Sequence, residues 1–219
     1  MRRPRRLVLD ASVTGSDVAR AVAGAGLVCF PTDTVYGVGG RVAPAVREAL
    51  VAAKGRDEGK PLQVVYPTLE LLEREVPMAP RLRTAVRRLL PGPLTLLLPY
   101  PAGLRFPPPG EVAGRTTLGL RVPAWPPRAA ALAGLTFPLL ASSANPSGGA
   151  APAALEEVDP VLLAACDLAL DAGRVGGRAS TVVDLSAFAD DGTWRVLRAG
   201  AVGEDAVASL ITPSGERLP

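Results

Sequence analysis

The sequence predicts an α/β fold in which helices pack against a sheet. Short apolar runs alternate with helix-like segments along the 219 residues, and Gly or Pro punctuates most of the boundaries between them. No internal repeat or clear linker divides the chain, so one compact domain is the simplest reading. Hydrophobic residues make up 48% and charged residues 21%, a balance that lets the chain bury a core.

Each element has a local reason. Arg2, Arg3, Arg5 and Arg6 make residues 1–12 a basic arm, read as a frayed, solvated end or as a nucleic-acid contact. Thr14 or Ser16 caps a helix running to about Ala23, and Gly24 and Gly26 end it. Leu27 to Phe30 is a buried strand that stops at Pro31. Pro44 suits the first position of a helix that ends at Gly55. A strand over Leu62–Tyr66 precedes two helices, Leu69–Glu75 and Arg81–Leu90, the second with Leu82, Ala85, Val86 and Leu89 on one face.

Further strands are expected at Leu94–Leu98, Leu118–Val122, Phe137–Leu140, Leu168–Leu170, Thr181–Leu185 and Trp194–Leu197. Helices should follow Pro126, Pro152 and Gly203, the last one opening a C-terminal segment, 204–219. Pro99 to Arg115 is rich in Pro and Gly and reads as a long surface loop.

Composition excludes more than it selects. Histidine is absent, which removes Ser-His-Asp and Cys-His catalysis, HExxH zinc sites and imidazole proton shuttling. Cys29 and Cys166 sit among apolar neighbours without zinc-site spacing, so both read as buried free thiols. No apolar run reaches the roughly 18 residues of a membrane span, and MRRPRRLVLD has no apolar stretch of signal-peptide length. A cytoplasmic protein without a membrane partner is expected. The remaining chemistry rests on Arg, Lys, Asp, Ser, Thr and Asn, which hold anions and stabilise charge.

Several segments carry such groups. PTDTVYGVGG, after the first apolar strand, matches neither a P-loop nor a Rossmann turn. Its glycines admit close backbone approach to a ligand, or it is a tight turn with Asp33 in an Asx-turn. Lys54, Arg56 and Lys60 follow a helix. Lys54 suits the helix C-terminal dipole, whereas Arg56 and Lys60 lie beyond it and could grip a polyphosphate. Arg121 interrupts an apolar strand and shares a face with Gly119, which leaves room for an anionic partner such as a ligand carboxylate. In ASSANPSGG, Ser143 and Asn145 stand at the end of a buried strand, where a turn or a polar ligand accounts for them. The basic cluster Arg81, Arg83, Arg87 and Arg88 reads as a solvated helix face or an RNA contact.

Together and in this order, PTDTVYGVG, K-G-R with KPL, PGPLTLLL, LGLRVP, SSANPSG, STVVD and VLRAG resemble the YrdC-like family, the threonylcarbamoyl-AMP synthases. The matching pieces span about Leu27 to Gly200, and the chain is similar to the short, single-domain members. The resemblance implies a twisted, mostly open mixed sheet within one catalytic domain, residues 13–203. It also implies a reaction in which L-threonine, bicarbonate and ATP, with Mg²⁺, yield threonylcarbamoyl-adenylate and pyrophosphate. That product feeds tRNA modification through separate transferase proteins.

Carried over residue by residue, Lys54, Arg56, Ser143 and Asn145 match the family's catalytic positions. Arg56, Lys60, Thr117, Ser143 and Arg198 are assigned to ATP, and Thr34, Arg121 and Thr181 to the threonine end. No protein metal ligand is assigned. The chain departs from the family pattern at Val65, where many members have a histidine, and at Gly149-Ala150-Ala151, where another serine is common. The alternatives are a paralogue acting on another substrate and a non-catalytic module with weak RNA binding. The scattered aromatics, 4% of the chain, offer few stacking platforms to the latter.

Overall fold

A computed structural model describes residues 3–55, 62–102, 104, 110–112, 114–146 and 148–211. In chain order the strands are β1 (Arg5–Val8), β2 (Val28–Phe30), β3 (Gly37–Arg41), β4 (Gln63–Val65), β5 (Leu94–Pro99), β6 (Gly110–Val112), β7 (Arg115–Arg121), β8 (Leu139–Ser143), β9 (Leu168–Asp171), β10 (Thr181–Asp184) and β11 (Arg195–Arg198). The helices are α1 (Gly15–Ala23), α2 (Pro44–Lys54), α3 (Leu69–Glu75), α4 (Pro80–Leu89), α5 (Pro160–Ala165), α6 (Phe188–Asp191) and α7 (Glu204–Ile211), with 3₁₀ turns at Pro127–Gly134 and Leu155–Glu157.

The strands form one mixed sheet in the order β1-β9-β2-β3-β8-β4-β7-β5-β10-β11, and β6 adds to β7. Pairs β1/β9, β2/β9, β4/β7 and β5/β10 are parallel, while β2/β3, β3/β8, β4/β8, β5/β7 and β10/β11 are antiparallel. The expected mixed α/β sheet is therefore the architecture.

Alternation along the strands builds two cores, one on each face. Cys29, Val38, Val64, Leu96, Leu118, Leu120 and Leu140 face a core closed by α2, α3, α4, α6 and α7. Val28, Phe30, Val65, Leu139 and Ala141 face the other way, against α1 and the turn at Pro127–Gly134. That second cover reaches only one half of the sheet. Over the other half, Arg121, Thr95 and Gln63 share a face on which no helix among the described residues packs, and a cavity lies there.

The local signals place most helices well. Thr14 caps α1, accepting from the Asp17 amide, and Asp17 returns a bond to the Thr14 amide. Pro44 opens α2, and Gly55 ends it in the left-handed conformation. Elsewhere tertiary contacts override the local reading. Residues 5–8 are not a frayed arm: β1 pairs with β9, and Arg6 Nε donates to Asp171 Oδ2 at 3.0 Å. Four residues, two of them arginine, carry too little apolar pattern to announce a strand.

The expected Pro99–Arg115 loop contains β6, held as a hairpin against β7. PTDTVYGVGG is part turn and part β3, a central strand. β8 runs through Ser143 because β3 and β4 flank it, so the first two serines of ASSANPSGG lie in the sheet. The helix expected after Pro126 is a 3₁₀ turn, and α6 had no signal. The basic face of α4 is largely consumed by the fold. Arg87 Nη2 donates to Glu73 at 2.8 Å, Arg81 stacks 5.1 Å from the Phe188 ring centre, and Arg88 Nη1 donates to the Ile211 carbonyl at 3.3 Å.

Among the described residues no helix is long and apolar enough to cross a membrane. Both cysteines are buried free thiols. Burial pushes Cys29 well above the usual thiol range and Cys166 up to about 12, so neither ionises near neutral pH. Since the thiolate is the reactive species, the folded protein should resist iodoacetamide at pH 8 and take up two labels only when unfolded. Labelling of the native protein, read by mass spectrometry, would contradict this burial.

Candidate active site

A cavity of about 630 Å³ opens on the uncovered half of the sheet. Strands supply its floor through Gln63 and Val65 of β4, Arg121 of β7 and Ser142 and Ser143 of β8. Arg198, at the end of β11, and residues around 30–37, 145–146, 148–151 and 177–180 form its walls. Among the sequence-selected residues, Lys54, Arg121, Ser143, Asn145 and Arg198 meet here.

Arg121 is 2% exposed, and the loop after β2 supplies its counter-charge: its guanidinium pairs with Asp33. Asp33 Oδ2 also accepts from the Ala124 amide at 3.0 Å, which ties the loop after β2 to the exit of β7. Burial pushes the Arg121 pKa down and Asp33 opposes this. The anionic partner that the sequence called for is thus found within the protein, as Asp33. Its Nε remains buried without a hydrogen-bond partner. The room beside Gly119 is narrower than expected, since a Cβ there would stand 3.3 Å from Leu97 Cδ2.

The opposite wall is cationic. Arg198 Nη2 donates to the Ser180 carbonyl at 2.9 Å and to Ser180 Oγ at 3.1 Å, both neutral acceptors. Burial pushes its pKa down, and its charge is felt at Arg121. An exposed arginine whose hydrogen bonds among the described residues go to neutral oxygens keeps its charge available to an anion. Lys54 Nζ, from the last turn of α2, donates to the Ser143 carbonyl at 2.6 Å and to Ser142 Oγ at 3.0 Å. It secures the end of β8 as well as facing the cavity.

Asn145 Nδ2 holds the following turn through the carbonyls of Pro146, 2.9 Å, and Gly149, 2.7 Å, while its Oδ1 is buried without a partner. The turn reading of ASSANPSGG holds, and the Asn145 amide that shapes the turn also lines the cavity.

Three selected threonines do not line it. Thr34 Oγ1 lies 3.1 Å from Thr32 Oγ1, and Thr32 is the one that reaches the cavity. Thr181 Oγ1 donates to the Val202 carbonyl at 2.6 Å and accepts from the Val202 amide at 3.0 Å, so its hydroxyl is committed to the backbone. Thr117 is buried on the Arg121 face of β7, but four residues along the strand set it roughly 13 Å away. Arg56 and Lys60 lie outside the described residues.

Sequence reasoning passed over Gln63, Arg178 and Ser180, all of which line the cavity. Gln63 could have been found by alternation, two residues before Val65 on one strand. Arg178 stands just before STVVD, outside the motifs singled out above.

The family described as "Telomere recombination", Sua5/YciO/YrdC, matches residues 20–200. A threonylcarbamoyl-AMP synthase of Thiobacillus denitrificans is 36% identical over 179 residues, 80% of this chain and 89% of that protein. The synthase of Bacillus subtilis is 34% identical over 85% of this chain, which spans 53% of that longer relative. Among solved structures, P. abyssi Sua5 complexed with L-threonine superposes with a TM-score of 0.73 at 27% identity, covering 94% of this chain and 60% of that one. E. coli YciO superposes with a TM-score of 0.74 at 25% identity, covering 92% and 97% of the two chains. With the fold, the motif order and these relatives in agreement, the chain belongs to the Sua5/YciO/YrdC family.

Proposed function

We propose that the protein is an L-threonylcarbamoyladenylate synthase that transfers an adenylyl group from ATP to N-carboxy-threonine. One observation carries the reading: a single cavity holds a buried arginine, Arg121, and a second guanidinium, Arg198, whose hydrogen bonds among the described residues go to the neutral oxygens of Ser180. A substrate with a carboxylate at one end and a polyphosphate at the other is complementary to that pair. The relatives named above support the same assignment.

In this mechanism the Arg121–Asp33 pair orients threonine, with Nε free to take its carboxylate. The neutral amine and bicarbonate give a carbamate with loss of water, and a carbamate oxygen then attacks the α-phosphorus in line and expels pyrophosphate. Arg198 and Ser143 hold phosphate oxygens. Arg56, Lys60 and Thr117 are proposed to add to the ATP site, and Thr34 and Thr181 to support the threonine end from behind the wall. Such a step asks for positioning and charge neutralisation rather than a side-chain base, which suits a chain without histidine.

Among the described residues no cluster of three or more His, Cys, Asp or Glu suits a metal, and Asp33 is committed to Arg121. The donor set therefore fits Mg²⁺ only as a partner of the nucleotide, where the ion neutralises phosphate charge. Use of the product by tRNA-modifying transferases, and a cytoplasmic setting, belong to the same proposal.

The internal partners of the α4 arginines leave the RNA-binding reading with less basic surface than the sequence promised. A second reading, another amino acid in place of threonine, draws on Val65. It pairs with Arg121 in register and presents an apolar wall.

The test is pyrophosphate release from ATP, Mg²⁺ and bicarbonate, with each amino acid in turn. Threonine-dependent release is expected, and Arg198→Ala should lower kcat/KM for ATP by about 100-fold, roughly 2.7 kcal/mol. Release with a different amino acid would select the second reading. No release with any amino acid would refute both.

A further inference from the structure

Thr95 lies on β5, outside the cavity lining and 5% exposed, yet it joins two residues that face the cavity. Its Oγ1 donates to Gln63 Oε1 at 3.1 Å and lies 2.8 Å from Ser180 Oγ. Ser180, 4% exposed, in turn accepts from Arg198 at 3.1 Å.

The direction of this row follows from its ends. A guanidinium can only donate, so Ser180 Oγ accepts from Arg198 and has its own hydrogen to give. Thr95 Oγ1 takes that hydrogen and passes its own to the Gln63 carbonyl oxygen. The row crosses the sheet from β11 through the entry of β10 and β5 to β4, over β7 where Gly119 has no side chain. With its oxygen engaged inward, the Gln63 amide is left to present Nε2 to the cavity.

We propose that Thr95 is a positioning residue that sets the anion-gripping geometry of Arg198 and the amide orientation of Gln63 from beneath the cavity floor. The role for ATP rests on the proposed function. The physical coupling between Thr95 and the anion seat does not.

Calorimetry with inorganic pyrophosphate as the probe tests it on the full chain. Thr95→Val keeps the shape and removes the hydroxyl, and should weaken pyrophosphate binding about tenfold, the worth of one neutral hydrogen bond. Thr95→Ser should return affinity to within about twofold of the original. Thr95→Ala replaces Thr95→Val if thermal melting shows the latter unfolded. Kinetically, KM for ATP should rise while kcat holds.

Unchanged pyrophosphate affinity in Thr95→Val overturns the proposal, as does a loss that Thr95→Ser fails to restore. A wild-type affinity no better than that of Arg198→Ala overturns it too. If affinity follows the hydroxyl while the wild type releases no pyrophosphate with any amino acid, the positioning role stands and the synthase reading falls.

Discussion

Arg121→Ala is expected to abolish amino-acid-dependent turnover and to lower the unfolding free energy by about 3–5 kcal/mol. The two losses share one cause. Arg121 is 2% exposed and Asp33 10%, so removing the guanidinium strands a nearly buried carboxylate with only the Ala124 amide for a partner.

Arg121→Ala/Asp33→Ala should then be less destabilised than the sum of the two single variants, because neither charge is left unpaired. Urea unfolding of all four proteins measures the coupling. ATP affinity should change by no more than a few-fold, since Arg198 and Lys54 keep their positions through bonds to Ser180, Ser142 and Ser143. An Arg121→Ala protein with unchanged stability and threonine-dependent turnover would refute the assignment of this ion pair.

Gly39→Ala should cost on the order of 3 kcal/mol or more. Gly39 sits in β3 opposite Ala141 of β8, and a Cβ built on it would stand 2.0 Å from the Leu140 carbonyl oxygen. The obstacle is backbone in the middle of the sheet, which cannot swing aside as a side chain would. Relief requires β3 and β8 to part, and β8 carries Ser142 and Ser143 into the cavity. Turnover should therefore fall along with the melting temperature. Gly203→Ala is the control: a Cβ there meets nothing within 4 Å, and its effect should lie within about 0.5 kcal/mol. Equal stability of the two variants would refute the close approach.

Gly39 also shows how far local reading goes. In the sequence its neighbourhood is a glycine-rich polar loop, open to ligand approach or to a turn. In the structure Gly37 lines the cavity, whereas Gly39 makes room for a neighbouring strand. Both roles use the missing side chain, and only knowing which strand lies alongside separates them. The threonines divide in the same way. Thr34, Thr117 and Thr181 share hydroxyl chemistry with residues that do reach the cavity, but the turn after β2 gives Thr34 to Thr32 and the start of β10 gives Thr181 to the Val202 backbone. Thr95 had no local signal, because in PGPLTLLL it is one polar residue in an apolar strand.

What the sequence by itself determined is the part written within a few residues of each position. Capping at Thr14, termination at Gly55 and the period of the apolar runs specify helices, strands and an α/β class. The absence of histidine removes imidazole chemistry and leaves Arg, Lys, Asp, Ser, Thr and Asn to carry the site. An arginine inside an apolar strand requires an anion nearby, and that too was legible at Arg121. The tertiary structure alone decided which anion it is, that residues 5–8 join the sheet, and which strand adjoins which. Asp33 and Arg121 are 88 positions apart, and Arg6 and Asp171 are 165 apart. Pairings of that reach depend on how several strands stack and on what burial each charge must then satisfy. Propensity and periodicity act over one or two turns, so they cannot encode such a choice; it is settled only when the whole sheet closes.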